Sequence, residues 1–128
     1  MTERKYPIGV QSFRNIRTEN FIYIDKTAYI ESLVKGHVFF LSRPRRFGKS
    51  LLLSTLASYF RGEKELFKGL AIEKFKAETG SEWQSYPVLK LDLNAQKYLR
   101  EEDLTTILND HIRIWEENYN VKTGCTDA

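Results

Sequence analysis

The feature that most constrains this chain is a stretch in which an apolar run, a basic loop and an apolar helical pattern follow one another. The run from Val38 to Leu41 has the length and bulk of a buried strand. The loop ends in Gly48-Lys49-Ser50, and the helical pattern starts at Lys49. A strand, a loop ending in Gly-Lys-Ser and a helix form the layout of a phosphate-binding P-loop.

The residue types of the loop suit a polyphosphate. The first N–H groups of a helix have no partner within it, and the helix dipole places partial positive charge there. Gly48 lets the backbone approach a phosphate, Lys49 brings a cation to the terminal phosphates, and the Ser50 hydroxyl suits a magnesium ion. The sequence therefore predicts a site with Ser50 as metal ligand and with these binding residues: Arg45, Arg46, Phe47, Gly48, Lys49, Ser50 and Leu51.

The loop departs from the full pattern G-x-x-x-x-G-K-[ST] at one position. Arg43 stands where the first glycine is expected, and Pro44 follows with its φ already fixed. Two alternatives to a nucleotide site stay open. Gly-Lys-Ser can arise by chance in a solvated basic turn, or the cations of the loop can bind the phosphate backbone of a nucleic acid; these cations are Arg43, Arg45, Arg46 and Lys49.

The chain resembles the N-terminal part of the bacterial AAA-ATPase-like family. The resemblance extends over almost the whole chain, and its segments are Tyr6-Pro7-Ile8-Gly9, Phe21 to Thr27, Phe40 to Leu52 and Tyr86 to Asn94. The RPRRFGKS loop is that family's form of the Walker A motif, so the resemblance implies ATP and Mg²⁺ as cofactors. It also implies that the missing first glycine is a family trait.

Members of that family usually continue into an apolar strand ending in Asp-Glu, the Walker B motif. Many end in a domain similar to the PD-(D/E)XK nucleases, which would make nucleic acid a possible partner. This chain shows neither feature. Residues 1–128 are therefore expected to form the N-terminal part of one AAA-ATPase-like P-loop domain, with an incomplete α/β sheet, flanking helices and no second domain. Whether such a chain is an enzyme stays open, and hydrolysis is not expected of it alone.

Asp92 is the acidic residue that most invites a catalytic interpretation. It lies near the end of the apolar run Val88 to Leu93, which is predicted to be a second strand started by Pro87. A Walker B aspartate holds magnesium through water from such a position. No glutamate follows Asp92, however, so the alternative is a strand end without catalytic duty.

Helical patterns are predicted over 11–18, 26–35, 49–61 and 101–119, with Asp25 as the N-cap of the second and Gly36 as its stop. The segment Phe21 to Thr27 has two interpretations. It is an extended lead-in and helix start, or it covers the adenine base, as a comparable segment does in P-loop ATPases of similar layout. Apolar and aromatic residues recur three and four residues apart in the last helix, and they are Leu104, Ile107, Leu108, His111, Trp115 and Tyr119. Trp115 and the aromatic stripe are predicted to make core contacts.

Composition bounds the remaining possibilities. A chain of 128 residues suits one small domain, and 20 Lys+Arg against 17 Asp+Glu give a net charge of +3. That mild charge makes no case for general nucleic-acid binding. The single Cys125 fits a reducing cytoplasm. No run of about 18 apolar residues is present, so no membrane span is expected.

Overall fold

The computed structural model describes residues 3–44, 48–93 and 100–120, and the chain divides into two compact units, Met1–Val88 and Leu89–Ala128. The second unit holds one described helix, α5 (Glu101–Tyr119). The first unit holds α1 (Phe13–Thr18), α2 (Ala28–Val34), α3 (Lys49–Phe60), a 3₁₀ helix (Lys64–Phe67) and α4 (Ala71–Thr79).

The predicted α/β sheet is wrong for the described part of the chain, in which no β-strand is present. Only an isolated parallel bridge joins Lys5 to Phe21. The two apolar runs that predicted strands are exposed instead: Val38 is 90% exposed, Phe40 94% and Leu89 60%. A strand is stabilised by its partners, and an apolar run shows only that burial would be favourable. Neither run is assigned as a strand in the described residues.

The helix predictions are confirmed in type and nearly in extent. The helix predicted over 49–61 is α3, and α5 has the predicted bounds. The helix predicted over 26–35 begins two residues late, at Ala28. Its N-cap is Thr27 and not Asp25, so the capping prediction is wrong. Helical periodicity is a local signal, whereas the choice of a cap depends on what else the side chain can bind.

The core of the first unit forms where these helices meet. Helix α1 packs against α3 and the 3₁₀ helix, and α2 packs against α4. The rings of Phe13 and Phe67 lie 4.8 Å apart at their centroids, and Trp83 lies 5.2 Å from Phe67. Trp83 thus packs against the core. The buried cluster consists of Phe13, Ile30, Phe67, Leu70 and Ile72.

Arg17 fastens α1 to the chain around the 3₁₀ helix. Its Nε donates to the carbonyl oxygen of Leu66 at 2.7 Å, and its Nη2 donates to that of Lys68 at 2.6 Å. Carbonyl groups at a helix end have no partner within the helix. One guanidinium therefore satisfies two main-chain acceptors about fifty residues away.

The second unit is organised by α5. The N–H of Arg100 donates to the Asp103 carboxylate at 3.0 Å, which satisfies a donor at the start of the helix. Ile107 is 4% exposed, but Leu104 is 42% exposed and Leu108 37%. Of the aromatic residues predicted to make core contacts, Trp115 is half-buried and Tyr119 is 38% exposed, so neither is fully buried. None of the helices in the described ranges is long and apolar enough to cross a bilayer.

Candidate functional site

The predicted loop leads into α3 through a glycine in the left-handed region. Gly48 has φ 77° and ψ 17°, and its carbonyl oxygen accepts the first bond of the helix, from Leu52 N–H at 2.9 Å. A left-handed conformation strains residues that carry a Cβ, so it favours glycine here. Apart from its neighbours in the chain, a Cβ built on Gly48 would meet no atom of the described residues within 4 Å. The described residues therefore leave the space above this backbone open to a ligand.

A cavity of about 750 Å³ lies beside the start of α3. Gly48, Lys49 and Ser50 line one side of it and are exposed. Arg43 lines the same cavity, and residues 7–11 form another part of its wall. The predicted residues Gly48, Lys49, Ser50 and Leu51 are thus brought to one cavity. The predicted residues 45–47, which are Arg45, Arg46 and Phe47, lie outside the described part of the chain.

A second cavity adjoins the first and differs from it in chemistry. Its volume is about 410 Å³, within the usual range of ligand pockets, and its walls are mostly apolar. Arg43, Gly48 and Leu51 line both cavities. An amphipathic ligand, with an anionic end and a flat apolar end, would match this pair of cavities.

The walls of the apolar cavity come from the segment before α2 and from α3. Ile22, Tyr23, Ile24, Lys26 and Thr27 contribute from the first of these. The sequence had singled out this segment as a possible base cover. The sequence prediction does not include the residues that α1, α2 and α3 add to the wall of this cavity, which are Ile16, Ile30, Leu52 and Thr55. The spacing of Leu51, Leu52 and Thr55 on one helix was the available signal.

Tyr23 is anchored in the wall of the apolar cavity. The side chains of Tyr23 and Thr55 are hydrogen-bonded, and Thr55 Oγ1 lies 2.8 Å from the carbonyl oxygen of Leu51. Burial raises the pKa of Tyr23, and the nearby Asp25 carboxylate adds to this, against the lowering effect of Thr55 and Arg17. Tyr23 therefore keeps its proton at neutral pH and holds a fixed ring in the wall.

Asp92 is the acidic residue with a possible catalytic interpretation. It belongs to the second unit, where its main-chain carbonyl oxygen lies 3.1 Å from Nε2 of His111. Because a carbonyl oxygen only accepts, Nε2 of His111 is the protonated nitrogen in this contact. The described contact thus involves the main chain of Asp92 and gives no catalytic role to its carboxylate.

Comparison with known proteins identifies the class. A family model described as predicted AAA-ATPase matches residues 7–127. The chain belongs to this family, which is consistent with ATP binding in general. It is also similar to an uncharacterized protein encoded in the vnfD 5′ region of Azotobacter chroococcum mcd 1, with 36% identity over 129 residues. That match covers 98% of this chain but 24% of the relative. No solved structure matches the chain.

Proposed function

We propose that this chain binds ATP together with Mg²⁺ at the start of α3, through a variant Walker A loop. The observation that carries the proposal is the geometry of that helix start. Gly48 is left-handed with open space above it, and Lys49 and Ser50 follow it into the same cavity. Membership of a predicted ATPase family supports ATP as the ligand class.

The phosphates belong in the larger, more polar cavity. The N–H groups of the first turn of α3 would donate to phosphate oxygens there, and Lys49 would supply a mobile positive charge. Ser50 offers a hydroxyl oxygen, a ligand type that Mg²⁺ accepts beside phosphate oxygens. Arg43 and Leu51 flank this position, and the proposed site continues through Arg45, Arg46 and Phe47.

The adenine base belongs in the apolar cavity next to it. A flat aromatic ring suits a cavity whose walls are mostly apolar, and the two cavities meet at Gly48 and Leu51. The segment that lines this cavity, from Ile22 to Thr27, would then contact the base and not the phosphates. This supports the interpretation of that segment as a base cover.

Binding is proposed for this chain without turnover. Hydrolysis needs a residue that orients the attacking water, and the residues assigned to the site bind phosphates and metal only. The chain also spans about a quarter of the curated relative it matches. The activity of a longer protein that contains such a chain is a separate question.

Calorimetric titration of ATP, with and without Mg²⁺, tests the proposal. ATP–Mg²⁺ should bind the parent chain, and Ser50→Ala should weaken that binding because it removes a metal ligand. The penalty of Ser50→Ala should shrink when magnesium is left out. Ser32→Ala, at an exposed serine of α2 that lines neither cavity, is the matched control. If Ser50→Ala weakens ATP binding equally with and without Mg²⁺, Ser50 does not act as a metal ligand.

A further inference from the structure

Two side chains of the segment from Phe21 to Thr27 accept hydrogen bonds from the main chain of α4. Asp25 Oδ1 accepts from the Thr27 N–H at 2.9 Å and from Thr27 Oγ1 at 2.6 Å. Asp25 Oδ2 accepts from the N–H of Ala71 at 2.7 Å. Thr27 Oγ1 in turn accepts from the N–H of Ile72 at 3.1 Å. Asp25 and Thr27 therefore bind two main-chain donors at the start of α4.

These bonds replace a cap that α4 does not supply itself. Its N-cap residue is Leu70, which makes no side-chain cap bond. The first N–H groups of α4 would lack partners without Asp25 and Thr27. Thr27 is 1% exposed, and its bond to Ile72 is buried, so losing the hydroxyl would leave a donor without water.

Thr27 also lines the apolar cavity, together with Tyr23 and Lys26 on either side of Asp25. One short segment thus faces the proposed base position and is fastened to α4 at the same place. If the hydrogen bonds to Ala71 and Ile72 are lost, the cavity wall loses the two bonds that join it to α4. The cavity side of α3, which carries Lys49 and Ser50, has no part in these bonds.

We propose that Asp25 and Thr27 are positioning residues, which hold the base-side wall of the nucleotide site through their hydrogen bonds to the start of α4. This inference rests on the proposed function, since it assigns the apolar cavity to the base. It goes further in dividing the site: Asp25 and Thr27 serve recognition of the nucleoside, and Lys49 serves recognition of the phosphates.

The division predicts different effects on ATP and on inorganic tripolyphosphate, which has no base. Thr27→Val keeps the shape of the side chain and removes the hydroxyl, whereas the matched control Thr27→Ser keeps the hydroxyl. Thr27→Val should weaken ATP–Mg²⁺ binding about three- to tenfold, as expected for one hydrogen bond. Tripolyphosphate–Mg²⁺ should bind to Thr27→Val with the same affinity as to the parent. Thr27→Ser should retain ATP affinity, and Lys49→Ala should weaken both ligands.

Asp25→Asn gives a second variant, because its amide NH₂ cannot accept the bonds that both carboxylate oxygens accept from Thr27 and Ala71. It should show the same selective loss for ATP. Circular dichroism checks that each variant retains its helix content. Hydrogen exchange of the unaltered chain gives an independent readout: ATP, but not tripolyphosphate, should increase protection of the Ala71 and Ile72 amides.

The outcomes separate this inference from the proposed function. If Thr27→Val weakens ATP and tripolyphosphate equally, or if ATP leaves the Ala71 and Ile72 amides unprotected, the inference is wrong and the nucleotide site stands. If neither ligand binds the parent chain, the proposed function fails and the inference fails with it. The inference and the proposed function are both supported if Thr27→Val weakens the binding of ATP but not of tripolyphosphate, and if Thr27→Ser keeps the parent's affinity for ATP.

Discussion

The carboxylate of Asp25 accepts a hydrogen bond of 2.7 Å from the main-chain N–H of Ala71, 46 residues later in the chain. The bond joins the segment before α2 to the first turn of α4. It places a negative charge at a helix N-terminus, where the dipole favours it. The same carboxylate also binds Thr27. One side chain therefore organises a helix start and a tertiary contact.

This bond predicts a pH dependence of stability. Partial burial raises the pKa of Asp25, but hydrogen bonds from Thr27 and Ala71 outweigh it, and the net pKa lies below the ordinary value of 3.8. A lowered folded-state pKa means that ionised Asp25 stabilises the fold above pH 3.8, and that this contribution is lost as pH falls through the folded-state value.

Urea unfolding of the parent and of Asp25→Asn at several pH values checks this dependence. The stability advantage of the parent should be full at pH about 6 and should shrink towards pH about 3. The effect should be small, because Asp25 is exposed enough for solvent to screen it. Asp110→Asn controls for the loss of one negative charge. An advantage of the parent that is the same at both pH values would contradict the role given to the carboxylate.

Gly48 should resist substitution because of its backbone, not because of crowding. Its φ of 77° penalises a Cβ by about 1–2 kcal/mol, although the described residues beyond its chain neighbours place no atom within 4 Å of the added carbon. Gly48→Ala should therefore lower the free energy of unfolding by about 1 kcal/mol, and Gly48→Asn by less, since asparagine tolerates this region. Denaturant unfolding measures both. Equal stability of parent and Gly48→Ala would show that the loop adopts another conformation in solution.

Arg17 should contribute more to stability than its neighbour Arg14. Arg17 donates to two main-chain carbonyl groups, and bonds to a charged donor contribute about 1.5–3 kcal/mol. Arg14 forms an ion pair with Glu63 in which its own side chain is exposed, a class of contact worth about 0–1 kcal/mol. Arg17→Ala should therefore destabilise the chain by about 2 kcal/mol and Arg14→Ala by 1 kcal/mol at most. Similar losses in urea unfolding would contradict this ranking.

ATP turnover by this chain alone should be negligible. A steady-state phosphate-release assay should stay far below about 1 per second, the lower end of ordinary enzyme rates. The reason is that the proposed site residues would hold phosphates and metal without a group that activates water. Turnover at that rate, abolished by Lys49→Ala, would show that this chain contains the catalytic residue.

The local parts of the structure were predictable from sequence. Apolar spacing identified α3 and α5, with bounds that agree to within one residue. The proximity of the proposed site residues Gly48 to Leu51 was predictable for the same reason, since they are consecutive in the sequence. Their grouping in a cavity follows from one turn of one helix.

The parts that depend on distant partners were not predictable. The apolar runs at 38–41 and 88–93 have strand composition, but composition does not supply a pairing partner. Asp25 is a residue type that often caps helices, but its Oδ2 accepts a hydrogen bond from the N–H of Ala71 at the start of α4. Leu104 and Leu108 follow helical spacing, yet a helix face becomes core only where another element covers it.

The central claim is that Lys49 binds the terminal phosphates of ATP, and calorimetric titration of Lys49→Ala tests it most directly. A charge-assisted hydrogen bond contributes about 1.5–3 kcal/mol, so the variant should bind ATP–Mg²⁺ roughly ten- to a hundredfold more weakly than the parent. Lys74→Ala, an exposed lysine on α4, is the matched control and should bind like the parent. A Lys49→Ala variant that keeps its helical circular dichroism and binds ATP with the parent's affinity would contradict the account.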